Sequence, residues 1–148
     1  MLQEVRKLRE IARLCRSGQP LGEELGQWLG NSLDRFLEHR SASIDDALGL
    51  RAPKGGVPWW LEEGLRTRNA VLRRLADSAH EGQTVLCQAR LINTAARRYA
   101  ATAWLRDRED ATMPQAYRGT AKELLWLAFK SGAPMPIGER QLRHVLGR

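Results

Sequence analysis

No stretch of the 148-residue chain stays apolar for the roughly 18 residues that a membrane-crossing helix needs. A helical membrane span is therefore excluded. The opening residues, Met1-Leu-Gln-Glu-Val-Arg-Lys-Leu-Arg-Glu10, carry charge throughout and lack the uncharged apolar core of an export signal, so the expected compartment is the cytoplasm. Cysteine is scarce: Cys15 and Cys87 match no metal or redox spacing, and His39, His80 and His144 lie far apart without neighbouring cysteines. No metal and no cofactor is expected, and in a reducing compartment two free thiols are favoured over a disulfide. Segments of alternating apolar and polar residues, internal repeats and low-complexity tracts are missing too, which removes the signals of a sheet, a solenoid or a disordered tail.

What remains is an ordinary globular balance of 43% apolar and 28% charged residues. A chain of this length buries roughly 68–70% of the surface that its unfolded form exposes, enough for one domain, 1–148, without staples. The net charge is +7, and it is unevenly spread. Residues 1–60 hold nine Lys/Arg against eight Asp/Glu, while residues 61–148 hold fifteen against nine. Twenty of the 24 basic residues are arginine, whose planar donor fork suits phosphate and carboxylate. A GC-rich coding sequence would produce the same bias.

Apolar residues recur at helical spacing along almost the whole chain. Leu2, Val5, Leu8, Ile11, Ala12 and Cys15 line a first helix that Gly18 stops. Pro20 suits the first turn of a second, whose face is Leu21, Leu25, Leu29, Leu33, Phe36 and Leu37 with Trp28, and the two predict an antiparallel hairpin. Gly22, Gly26 and Gly30 would admit a neighbouring backbone. Ser43-Ile-Asp-Asp46 resembles a capping box for a short turn closed by Gly49. A Pro/Gly-rich connection near 51–58 leads to a helix from Pro58 with Leu61, Leu65, Leu72 and Leu75 on one stripe, where Arg68 falls among them. That implies a carboxylate partner for Arg68 or a break near Gly64. Val85, Ala89, Ile92, Ala96, Tyr99 and Ala103 line a long helix to about Asp107, and a polar connection spans 109–119. Thr120-Ala-Lys-Glu123 reads as a complete capping box before an apolar helix, and a last helix begins near Gly138. The prediction is all-α: a single compact bundle of five or six helices, an N-terminal hairpin plus C-terminal helices.

Several constellations could carry chemistry. Lys54-Gly-Gly56 lacks the strand and the trailing lysine of a phosphate loop and reads as a connector. Trp59-Trp60 can stack on a ligand or pack on the core; one ring is expected against the Leu61/Leu65 side and the other exposed. Arg90, Arg97 and Arg98 form a basic ridge opposite the alanine face, either a solvated surface or a phosphate contact. Lys122, Trp126 and Lys130 stand four apart on one line, interleaving cations with an aromatic. Arg140, Arg143 and His144 face outward on the last helix, as a reading helix would, but the Ser131–Ile137 connection is too long and too proline-rich for a helix-turn-helix. Asp45-Asp46, Glu62-Glu63 and Asp107/Glu109/Asp110 are explained by capping and ion pairing, and no nucleophile motif is present.

Asp46-Ala-Leu-Gly-Leu-Arg51, Arg66-Thr-Arg-Asn-Ala-Val-Leu-Arg-Arg-Leu-Ala76, Arg97-Arg-Tyr-Ala-Ala-Thr-Ala-Trp-Leu-Arg-Asp107 and Gly138-Glu-Arg-Gln-Leu-Arg143 together resemble a group of short, arginine-rich bacterial proteins found near integrated or mobile genetic elements. The resemblance implies no activity and no site residues. The expectation is a non-enzymatic basic domain with DNA or RNA as its partner, or an adaptor that engages an acidic protein through exposed aromatics.

Overall fold

The computed structural model describes residues 1–136 and 138–147. Ile137, the expected end of the connection before the last helix, lies outside the described residues. Every regular element among the described residues is helical: α1 (Leu2–Arg16), α2 (Glu23–Leu37), α3 (Ile44–Ala47), α4 (Trp59–Ala79), α5 (Val85–Ala101), α6 (Trp104–Asp107), a 3-10 turn at Gln115–Tyr117, α7 (Ala121–Phe129) and α8 (Glu139–Leu146). The all-α prediction holds, with eight helices instead of five or six. In place of one bundle the chain forms two compact units, 1–62 and 63–148, and the division falls inside α4.

In the first unit, α1 ends where Gly18 turns at φ +66, a conformation that costs glycine little. Pro20 and Leu21 stay outside α2, whose N-cap is Gly22 in extended backbone, so the helix starts three residues later than the proline suggested. Lys7 Nζ stands 5.4 Å from the centre of the Trp28 ring and ties α1 to α2. Ser43 caps α3 as expected, its hydroxyl accepting from the Asp46 N–H at 3.2 Å. Arg35 of α2 donates to the Ala47 carbonyl at the end of α3. The face of α2 is only partly used: Leu33, Phe36 and Leu37 are exposed, and the fully buried residue is Ser32. A Cβ at Gly22, Gly26 or Gly30 would meet nothing within 4 Å, so the glycine stripe faces open space and seats no neighbouring helix. Pro53–Gly56 is a tight turn closed by the Gly56 N–H on the Pro53 carbonyl at 2.8 Å, with Gly55 at φ +78.

The second unit is built on Leu72, Leu75, Ala76, Ala89, Ile92, Leu124, Leu125 and Leu142, all buried in one cluster. α4 runs unbroken through Gly64, which is buried because a Cβ there would lie 2.7 Å from the Ser131 carbonyl oxygen. One turn later Arg68 reaches the same connection. At the far end Gln88 donates to the His80 carbonyl at 3.0 Å and closes the α4–α5 corner. The long helix expected to reach Asp107 divides at Thr102, whose hydroxyl donates to the Arg98 carbonyl at 2.7 Å and whose backbone leaves the helix. The break lets α6 fold back on α5. Trp104 then packs against Tyr99 and Phe129, at ring-centre distances of 6.0 and 5.1 Å. The Thr120 capping box does not form: the Thr120 N–H goes to the Tyr117 carbonyl at 3.0 Å. Glu123 accepts from the Gly119 N–H at 2.6 Å, while the Thr120 hydroxyl donates to the Tyr117 carbonyl instead of accepting from the helix.

Candidate cationic surface

The arginines of α5 divide between two flanks. Arg90 and Arg97, seven residues apart, return to nearly the same direction on a helix, whereas Arg98 is turned about 100° from Arg97. All three are exposed, but Arg90 Nε lies 3.7 Å from Glu139 of α8, which partly neutralises it. Arg98 borders another neighbourhood. With Lys122 of α7 it lines a groove of about 730 Å³ floored by Tyr99 and Leu125, with Thr94 and Thr102 on the α5 wall. The basic ridge read from the sequence is thus not one surface, and what comes together is Arg98 with Lys122.

The Lys122-Trp126-Lys130 line is not a surface either. Trp126 is buried at 8% exposure, so its ring is unavailable to a partner. Lys130 is half-buried and bound internally: Nζ donates to the Arg108 and Asp110 carbonyls at 2.8 and 2.6 Å and sits 5.5 Å from the centre of the Trp126 ring. It holds the α6 exit loop onto α7. The four-residue spacing was right, but α7 lies between neighbours on most of its sides.

On α8, Arg140, Arg143 and His144 are exposed as expected. Arg140 and His144, one turn apart, border a second groove of about 730 Å³ whose other wall is Leu65, Arg68 and Asn69 of α4. Arg143, one turn beyond Glu139, does not line this groove. No helix-turn-helix results, since nine residues separate α7 from α8. In the first unit Trp60 is 61% exposed while Trp59 is half-buried. Their rings meet edge to face at 5.8 Å, and both border a small groove with Asp45 and Arg51.

Arg68 departs from both expectations: no carboxylate pairs with it among the described residues, and the helix is not broken. Only 8% exposed, it donates from Nε and Nη2 to the Asn69 side-chain oxygen at 3.1 and 2.7 Å, and from Nη1 to the Pro134 carbonyl. Burial pushes its guanidinium below the ordinary arginine value.

Sequence reasoning missed the buried acid of the second unit. Asp107 has no exposed surface and accepts hydrogen bonds from the Tyr99 hydroxyl at 2.9 Å and the Tyr117 hydroxyl at 2.7 Å, with Arg106 at 3.2 Å. Burial alone would raise its pKa, but the bonds from Tyr117, Tyr99 and Arg106 outweigh burial and hold it below the aspartate range. Burial and then the hydrogen bond to Asp107 push the Tyr99 hydroxyl well up. The bond to Asp107, then burial, raises Tyr117. Both phenols stay protonated, so the trio is a lock rather than a source of base. An acid next to an arginine in a charged run gave no signal of burial.

Among the described residues no helix is long and apolar enough to cross a membrane, and no group of three His, Cys, Asp or Glu side chains is placed to hold a metal ion. No protein-family model, curated protein or solved structure matches the chain. The chemistry of the surface therefore rests on its own residues.

Proposed function

We propose that the chain is a non-enzymatic cytoplasmic binding module whose second unit engages nucleic acid across α5 and α7. The observation that carries the reading is the groove with Arg98 on one wall, Lys122 on the other and no acidic side chain among its lining. Two cations lining one groove can each take a phosphate of a strand laid along it, while the Thr94 and Thr102 hydroxyls, which donate to the Arg90 and Arg98 carbonyls, keep only accepting lone pairs for a sugar hydroxyl. The surplus of charge supports the same reading: residues 63–148 hold fifteen Lys/Arg against eight Asp/Glu, while residues 1–62 hold nine of each. A basic face attracts polyanions without any sequence motif.

The test is fluorescence anisotropy with random DNA and RNA, single-stranded and duplex, in low salt. Binding should weaken as salt rises, with log K falling against log[salt] by about 0.7 per contact for single strands and about 0.9 for duplex DNA. Arg98→Ala and Lys122→Ala should each reduce that slope by about one contact, because each removes one phosphate partner. Failure of every probe to bind in low salt rejects the reading.

A second reading, an adaptor for an acidic protein, draws on the first unit. There Trp60 is 61% exposed, and Leu33, Phe36 and Ile44 are also exposed. An exposed tryptophan near an arginine is typical of interface anchors. In that case Trp60→Ala, and not Lys122→Ala, abolishes partner capture.

A further inference from the structure

The groove between α4 and α8 has a different character from the α5–α7 groove, and we propose that it is a binding site for a small carboxylate carried on an apolar body, with Arg68 holding the carboxylate. Its walls combine one buried cation with apolar side chains: Leu65 on α4, Met135 in the connection and Val145 on α8. Two further positive or polar groups, Arg140 and His144, stand at the rim, and no acidic side chain is among the lining. At about 730 Å³ the space falls within the roughly 300–1,000 Å³ of small-molecule pockets.

Arg68 is the reason for assigning an anion. It is nine-tenths buried, and its three bonded N–H groups go to neutral acceptors, the Asn69 side chain and the Pro134 carbonyl. A guanidinium has five N–H donors. Those three bonds leave donor capacity to spare, and among the described residues no carboxylate offsets the charge. A buried arginine is ordinarily paired, because an isolated charge away from water is costly. Here the missing counter-charge is supplied by a ligand, and the planar fork selects a carboxylate's two oxygens. Asn69 fixes the fork by holding its Nε side. A nucleic-acid phosphate, bound to a bulky polymer, would not reach a side chain only 8% exposed. A small molecule can enter, lay its chain along Leu65 and Met135, and leave Arg140 at the rim to add to the attraction.

The experiment uses the full chain and calorimetric titration with octanoate, its neutral counterpart octanamide, and phenyl phosphate. Octanoate should bind and raise the melting temperature, and octanamide should do neither. Arg68→Met, which keeps the apolar volume and removes the charge, should weaken octanoate by about 10–100-fold, the worth of a charged hydrogen-bonded contact. Should Arg68→Met fail to fold, Arg140→Ala at the exposed rim keeps the test open: it should fold normally and weaken octanoate several-fold. Equal binding of octanoate and octanamide, binding of phenyl phosphate alone, or no change in octanoate affinity in both variants would each overturn the assignment. Octanoate should leave DNA and RNA binding intact, so the outcome is separate from that of the α5–α7 surface.

Discussion

At the scale of single residues, the informative side chains are those whose chemistry conflicts with their surroundings. Asp107 is charged and fully buried, and three donors compensate it. Truncating it to alanine leaves the Tyr99 and Tyr117 hydroxyls without their acceptor, at about 1–3 kcal/mol for each. The effect of pH follows from the same contacts. A carboxyl held below its unfolded value contributes stability above that value and loses it as pH falls through the folded one. The tyrosines act in the opposite direction: with folded values raised, they contribute below the unfolded phenol range, about pH 10, and lose it as pH climbs. Urea midpoints should therefore fall on both sides. Asp107→Asn should flatten the acid limb below about pH 4, and an unchanged acid limb in that variant would show that Asp107 does not provide it. Arg68 is the complementary case, a buried charge whose partners within the protein are neutral. The periodicity placed it correctly on the apolar stripe; it could not show which acceptors the distant 131–134 connection would bring.

At the scale of elements, glycine separates what the pattern conveyed from what it did not. Gly64 and Gly30 both sit inside helices and look alike in sequence. Around Gly64 the 131–133 connection leaves no room, since an added Cβ would lie 2.7 Å from the Ser131 oxygen and 3.2 Å from the Ala133 nitrogen. Around Gly30 there is open space. Gly64→Ala should thus cost about 1–3 kcal/mol, because backbone must move, whereas Gly30→Ala should add about 0.5–1 kcal/mol by restricting the unfolded chain and favouring the helix. Thermal melts of the two variants should shift in opposite directions, and shifts of the same sign would refute the contrast. The helix positions themselves were largely legible, because the apolar spacing of α1, α4, α5 and α7 is set by the same faces that the fold buries. The boundaries that were misplaced depended on tertiary contacts. Thr102 ends α5 so that Asp107 can reach Tyr99, a bond that eight residues of straight helix, about 12 Å of rise, would make difficult. Pro20 stayed outside α2 because Gly22 caps it in extended backbone. The candidate site was legible as a list of cations but not as an arrangement, since Arg98 and Lys122 meet only through the packing of α5 and α7.

At the scale of the whole molecule, the two units differ in both charge and interior. The first is neutral and the second carries the entire surplus, so long-range attraction of a polyanion originates in the second. The interiors are just as unequal. The buried apolar residues of the first unit are Val5, Ile11, Ala47 and Leu50, while thirteen residues form the buried cluster of the second. Burial contributes roughly 25 cal/mol per Å² of apolar surface, and units of about 60 residues are marginal even when well packed. The first unit also leaves Leu33, Phe36 and Leu37 of α2 in solvent, apolar surface that contributes nothing to its stability. Opening of the first unit should therefore require less free energy than opening of the second. Native-state hydrogen exchange checks this directly. Amides of α1 and α2 should exchange through a sub-global opening while those of α5 and α7 remain protected to near the global limit, and low denaturant should melt the first unit ahead of the second. Leu33→Ser together with Leu37→Ser should leave the exchange of α5 and α7 unchanged, because those side chains are outside any core. Uniform protection across both units and one coincident transition would mean that the thin interior of the first unit is as firmly held as the cluster of thirteen.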